Sequence, residues 1–549
     1  MCAQASELSS PSGAEALRAA ARGQTVRSAG KRAALRHWSW LASSVVVEYA
    51  LSLPTGLLQS WLLGPSLLGV FKVIHTLAGY AISSDLGLTK AFAREVPLLR
   101  GRGDHAGAER VRHIVFCASL LSTLLVVAAL WAAFLAGWSY GGVLGSTLTI
   151  VLTSALLIAA RLEVFAGQHL AAEGAFTLLS QRRIAVSLGG LLFTTPLVVF
   201  FRLPGALLAA IITSLIGVGI VVVFGRMRVR FAVSWSETRR LAGASLSLFL
   251  LNLGDKFSWS IEMLIIPAML GLAPAGLYGF ALGAINLARM LPSSLHSVLF
   301  RNMALDVGNG RVTSRQGAAL GKYMGAPWAA YTMVNAICLG GISFPYKFLV
   351  GTFLPAYEAS LPLIVVLATG TMMFQSQIFS SLALNVLGEF KALIGIRVIG
   401  LVANVALDVF FISRFGLIGA PFGSLVVYTI VPLAYGLLAF RRIGPDGEGP
   451  FRSYCRVLLA TALCAGAVVG LSELSQVIGS RFLWVPDMAL RFLLLAFEGL
   501  AYIVWCVAVF VLVFRQYRLA AELRLATVYL GESLRAPLRR TGLRRTPPV

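Results

Sequence analysis

Fourteen apolar runs, each near the ~20 residues that a helix needs to cross a bilayer, limit what this 549-residue chain can become. They fall near residues 38–63, 67–88, 114–137, 144–164, 184–201, 205–225, 242–271, 275–299, 323–345, 359–385, 393–412, 417–440, 455–476 and 488–514. Backbone inside lipid must satisfy its own hydrogen bonds, so runs of this length read as helices. Hydrophobic residues make up 58% of the chain and charged residues 13%. A soluble domain carries about twice that charge. The reading is an all-α polytopic membrane protein with about 14 transmembrane helices.

The remaining charge is lopsided, with 46 Lys and Arg against 23 Asp and Glu, a net +23. With the N-terminus placed in the cytoplasm, 38 of those 46 fall in the two tails and the even-numbered connections with their flanks. The opposite connections hold only Arg202, Lys347, Arg414 and Arg481. This bias predicts cytoplasmic termini and an even number of spans. It explains the basic excess as topology, with anionic membrane lipids as its partners and no nucleic acid. The longest outer connection, 346–358, leaves no room for an external catalytic domain.

An internal repeat runs through the chain. Leu63-Gly64 and Gly69-Val70-Phe71 return as Leu270-Gly271 and Gly276-Leu277-Tyr278, an offset of 207. At that offset Glu48 meets Asp255 and Arg94 meets Arg301. A second echo pairs Gly205-Ala206 with Gly419-Ala420. The predicted organisation is a basic tail (1–37), a six-helix half (38–225), a linker (226–241), a second six-helix half (242–440), a linker (441–454), an extra helix pair (455–514) and a basic tail (515–549). Both halves enter from the same side, so the repeats are parallel.

Ionisable residues inside the membrane cost roughly 2.5–3.5 kcal/mol each at mid-helix, so each needs a cavity or a partner. Ser44, Glu48, Ser52 and Gln59 share one face of helix 1. Asn252, Asp255, Ser258 and Glu262 form a stripe on helix 7, and Asn286, Arg289, Ser293 and His296 one on helix 8. Lys72 and His75 lie on helix 2, and Lys256 faces away from the Asp255 stripe. Two readings follow. The stripes line a water-filled cavity between the halves, with Glu48, Lys72, His75, Asn252, Asp255, Lys256, Glu262, Asn286 and Arg289 as candidate substrate contacts. Alternatively, Glu48, Asp255 and Glu262 pair with Lys72, Lys256 or Arg289 to lock helices together. Arg94 and Arg301 mark the cytoplasmic mouth. Asp85 and Glu163 read as solvated charges at helix ends, and Asp408 fits either a cavity or a helix end. The six cysteines form no C-x-x-C pair, the six histidines show no metal-ligand spacing, and no phosphate-binding loop or nucleophile motif occurs. The chain therefore reads as a non-enzyme with no cofactor.

Three stretches resemble a known family. They are Leu63–Glu95 with its D-L-G-L segment at Asp85–Leu88, Gly271–Arg301 with GLYGFA at Gly276–Ala281, and Leu382–Ser424 with a Gly388–Lys391 turn and a closing Gly416–Ala420. The chain resembles the O-antigen-unit type of oligosaccharidyl-lipid flippase in the multidrug/oligosaccharidyl-lipid/polysaccharide (MOP) exporter superfamily. Where Asp408 stands, that family usually has Asn. The resemblance implies an undecaprenyl-diphosphate-linked oligosaccharide as substrate and the bacterial inner membrane as location. It implies alternating access as mechanism, with H+ or Na+ coupling through Glu48, Asp255 or Glu262. Implied partners are a polysaccharide polymerase and chain-length machinery. Fourteen helices also occur in lipid II flippases, and a cation-coupled multidrug antiporter of the same superfamily is the main rival.

Overall fold

The computed structural model describes residues 11–137, 145–225, 229–308, 326–386, 388–443, 448–482 and 488–514, with Val143 and Met227. Regular structure among these residues is helical. The first half holds α1 (Pro11–Ile82), α2 (Leu88–Gly101), α3 (His105–Leu135), α4 (Thr147–Ala172) and α5 (Phe176–Val223). The second holds α6 (Trp235–Ser260), α7 (Glu262–Leu270), α8 (Leu272–Gly308), α9 (Ala326–Gly341), α10 (Ser343–Phe353), α11 (Leu361–Gln375), α12 (Ile378–Val386), α13 (Phe390–Phe415) and α14 (Gly419–Ile443). Two further helices follow, α15 (Glu448–Phe482) and α16 (Met488–Val513).

Among the described residues, nine helical stretches are long and apolar enough to cross a membrane. Three of them, Val47–Asp85, Phe176–Val223 and Phe390–Arg441, run to 39, 48 and 52 residues. Straight helices of that length would overshoot a ~30 Å hydrocarbon core. Each is broken by a non-helical residue, at Gly64, Arg202 and Gly416. Each therefore supplies two spans, which is compatible with the fourteen runs. The α6–α8 segment is not among the nine. It carries Asp255, Lys256 and Ser260 to an internal cavity, which lowers its hydropathy.

The repeat has a physical meaning. Gly64 (φ 68°, ψ 171°) and Gly271 (φ 93°, ψ −174°) make the same turn, in a conformation that glycine adopts at little cost. Beyond these turns the two halves cross. A Cβ on Gly69 would overlap the carbonyl oxygen of Leu272, and a Cβ on Gly276 would overlap that of Pro65. Pro65 and Leu272 are themselves 207 residues apart. The contact is thus self-complementary, as across a two-fold axis.

The last hairpin of each half repeats too, at an offset of 214. Arg202 (φ 50°, ψ −123°) corresponds to Gly416 (φ 65°, ψ −142°). Gly205 closes on the Leu197 carbonyl and Gly419 on the Phe411 carbonyl. Cross-half contacts seal the end that carries these turns. The Tyr357 hydroxyl donates across to the Ser60 carbonyl at 2.8 Å, and within the second half the Phe280 ring, 4.6 Å from Tyr357 and 5.6 Å from Tyr346, backs it.

At the opposite end, two sequence expectations are corrected. Asp85 is 5% exposed rather than solvated. Its carboxylate accepts hydrogen bonds from the Gly87 and Thr89 amides at 3.1 Å and pairs with Arg161 at 3.2 Å. It therefore caps the turn into α2, a role worth ~0.5–2 kcal/mol. Glu163 is likewise held, by Arg182 at 2.9 Å and by Ser214 at 2.8 Å.

The crossing predicts that Gly69→Ala and Gly276→Ala each destabilise the protein by about 1–3 kcal/mol, because backbone must move to admit the methyl group. Gly190→Ala, with open space around it, is the neutral control. Thermal unfolding in detergent measures this; equal midpoints for all three variants would contradict the tight crossing.

Candidate substrate cavity

Below the glycine crossing, the helices from the two halves diverge and leave a cavity of about 670 Å³. α1 contributes Lys72, His75 and Thr76; α6 contributes Asp255, Lys256, Trp259 and Ser260; α8 contributes Asn286 and Arg289. A second space of about 500 Å³ shares Lys72, Asn286, Arg289 and Gln375 with it and extends along Ser52, Gly56 and Ser60. Local breaks in the helices shape the walls. α6 ends at Ser260 and α7 begins at Glu262, while α11 ends at Gln375 and α12 restarts at Ile378. Trp259, Gln375 and Gln377 flank these interruptions and line the cavity.

Four cationic side chains reach the wall, against the single carboxylate of Asp255. Arg397 on α13 pairs with Asp255 at 2.6 Å, leaving its Nε and Nη1 without hydrogen-bond partners. Lys256 donates to the Gly79 carbonyl and, at 2.9 Å, to the Ser83 hydroxyl, so it bridges from α6 to α1. The Lys72 stem fills the space left by Gly279. Arg289 lies 3.3 Å above the Trp259 ring centroid, with one 3.3 Å bond to Asn286 Oδ1 and a partnerless Nε. Low-dielectric walls strengthen the field of such a cluster.

The structure brings Lys72, His75, Asp255, Lys256, Asn286 and Arg289 together on this cavity and places the other candidates elsewhere. Glu48 borders a separate space of about 380 Å³ with Glu163, Arg182, Arg183 and Met290. Asn252 is exposed, outside the lining of the cavity, because it lies a turn below Asp255 toward the basic end of α6. Ser44, one turn before Glu48, is 1% exposed and so packed rather than wetted. Arg94 is exposed on α2, and the Arg301 side chain lies outside the described residues, as do those of Ser293 and His296. Asp255 forms its ion pair with Arg397 and not with Lys72, Lys256 or Arg289.

Glu262 faces the interior of the second half, 1% exposed, two turns beyond Asp255 on the same helix face and, like it, against α13. Asn404 Nδ2 donates to Glu262 Oε1 at 3.2 Å and to Asp408 Oδ2 at 2.8 Å, and the Ser424 hydroxyl donates to Glu262. Asp408 is fully buried, and its Oδ1 and the Asn404 Oδ1 lack partners. No salt bridge reaches either carboxylate among the described residues. Two such acids cannot both stay charged without a proton or a cation between them. Oxygen-only donors of this kind suit a hard cation. No cluster of three or more His, Cys, Asp or Glu forms a metal site among the described residues.

Sequence reasoning missed Arg397, counted there among the inner-end charges, and also Trp259, Gln375 and Gln377. A signal for Arg397 existed: it lies 214 residues after Arg183, the offset of the last hairpins. Arg183 shares a cavity with Glu48, as Arg397 pairs with Asp255, the Glu48 counterpart.

Residues 34–300 match the family described as polysaccharide biosynthesis protein. No curated protein matches the sequence. The lipid II flippase MurJ, in an inward closed conformation, superposes with a TM-score of 0.62 at 12% identity, over 86% of this chain and 98% of that one. A MATE transporter of Vibrio cholerae gives 0.53 at 16% identity over 78% and 100%. A MOP superfamily transporter of Pyrococcus furiosus, reported to have a binding pocket of reverse polarity, gives 0.52 at 15% identity over 74% and 97%. The chain is a multi-pass membrane protein by its long apolar helices, its fold is that of these transporters, and its residues 34–300 are similar to the polysaccharide biosynthesis protein family.

Proposed function

We propose that this chain is a flippase for an undecaprenyl-diphosphate-linked oligosaccharide, moving it across the bacterial inner membrane for cell-surface polysaccharide synthesis. The observation that carries the reading is the charge of the cavity: Lys72, Lys256, Arg289 and Arg397 against Asp255. Such a wall attracts an anionic headgroup and disfavours the organic cations of a multidrug antiporter. Its volume is that of a site for a compact headgroup. The lipid tail stays in the bilayer while the halves rock about the glycine crossing and expose the cavity to each side in turn. The closed turn end and the cavity beneath it correspond to a state facing the cytoplasm. Lipid II, another diphosphate-linked sugar lipid, fits the same chemistry.

In this reading the asymmetric Asp255–Arg397 pair keeps one guanidinium oriented with free donors for phosphate oxygens. The Glu262–Asp408 pair is the coupling site, where a proton or small cation binds in one state and leaves in the other.

Arg289→Ala and Asp255→Ala are each expected to abolish surface polysaccharide while the protein stays in the membrane, read by glycan staining beside an immunoblot. Normal polysaccharide in both would overturn the cavity assignment. For coupling, an imposed H+ or Na+ gradient should accelerate transport in proteoliposomes by the wild type and leave Asp408→Asn unaffected. Acceleration retained in the variant would place coupling elsewhere.

A further inference from the structure

Trp259 stands in the cavity wall with its ring plane fixed by two aromatic neighbours. Phe374 meets it edge-on, 4.9 Å away at 84°, and Tyr428 lies 5.3 Å away. A ring held this way does not turn with its contents. The Arg289 guanidinium occupies one face, 3.3 Å from the centroid. Among the described residues no carboxylate bonds to that guanidinium, which makes one long bond to Asn286 and lies on the ring. Its Nε is buried and unpartnered. A cation–π contact of this kind is weaker than a charge-assisted, bidentate guanidinium–phosphate contact in a dry site. An arriving phosphate therefore outcompetes the ring for Arg289.

Resting on the flippase reading above, we propose that Trp259 is the sugar platform of this cavity, that Arg289 covers it while the cavity is empty, and that diphosphate binding draws Arg289 off the ring and frees its face for the first sugar. The apolar face of a pyranose stacks on an indole as other flat, partly apolar groups do, and Gln375 and Gln377 lie in the same wall to meet its hydroxyls. The order of events gives selectivity. A neutral sugar without phosphate finds the platform covered, and a phosphate without sugar leaves it uncovered and unused. The cavity thereby recognises the junction between diphosphate and sugar rather than either group alone.

The test uses the full-length protein in lipid nanodiscs and calorimetric titration with three probes: inorganic pyrophosphate, a hexose 1-diphosphate and the free hexose. The wild type should bind the hexose diphosphate about tenfold tighter than pyrophosphate and should not bind the free hexose. Trp259→Leu should bind both diphosphates alike, with pyrophosphate affinity kept, and Trp259→Phe should keep part of the preference. Arg289→Gln should weaken both diphosphates and let free hexose bind. Equal binding of the two diphosphates by the wild type, or an undiminished preference in Trp259→Leu, overturns the platform while leaving the anionic cavity intact. Absence of any diphosphate binding overturns the flippase reading itself, and the platform with it.

Discussion

Everything else in this molecule depends on the place where Gly69 and Gly276 pass each other with no side chain between them. Lipid gives apolar helices no hydrophobic reason to associate, so membrane interfaces rely on close backbone packing at small residues. Here that packing is self-complementary, with each glycine against the carbonyl of the other's partner residue, Pro65 or Leu272. The same contact pins the halves at one end and obliges the helices to diverge toward the other. A single pair of glycines thus joins the halves at one end and leaves a cavity between them at the other. Tyr357 adds the seal, reaching across to the Ser60 carbonyl.

A cavity inside a membrane is a place where charge can be afforded only if water or a ligand attends it. The four cations use different solutions. Lys256 is held by a carbonyl and a hydroxyl, Arg397 by Asp255, and Arg289 by an indole ring; Lys72 keeps its stem against Gly279. None of these arrangements neutralises the cluster. Their sum is a wall with more positive than negative charge. The buried acids are handled the opposite way: Glu262 and Asp408 withdraw from the cavity and share Asn404. Cationic wall and acidic interior lie at successive levels of one helical face, with Asp255 and Trp259 on the cavity and Glu262 packed beyond it.

Much of the fold was legible because it rests on long-range composition and on a repeat. Spans of lipid-crossing length leave a signal that no local packing detail can mask, and the 207-residue offset already paired Gly64 with Gly271 and Gly69 with Gly276. Periodicity on an ideal helix also placed Asp255, Asn286 and Arg289 on the cavity. It does not show depth along a stripe. Glu262 keeps the Asp255 face, meeting Asn404 on α13 as Asp255 meets Arg397 seven residues before, yet it lies in the packed interior of the second half. Lys256 points off that stripe, yet its flexible stem carries the ammonium to Gly79 and Ser83 on α1. Arg397 looked like an end-of-helix charge because it sits near the start of its span, and only its partner Asp255, far away in sequence, gives it another meaning. Asp85 and Glu163 read as solvated ends because sequence does not show Arg161 and Arg182 folding back onto them.

The most direct test of the anionic-cargo account is a transport assay in vesicles containing only this protein. A fluorescent undecaprenyl-diphosphate oligosaccharide is placed in one leaflet, and its arrival in the other is followed with a quencher that cannot cross the bilayer. The account predicts that the protein accelerates this movement, that Arg289→Ala abolishes the acceleration, and that cationic dyes are not carried. Vesicles that extrude cationic dyes and leave the sugar lipid unmoved would contradict it.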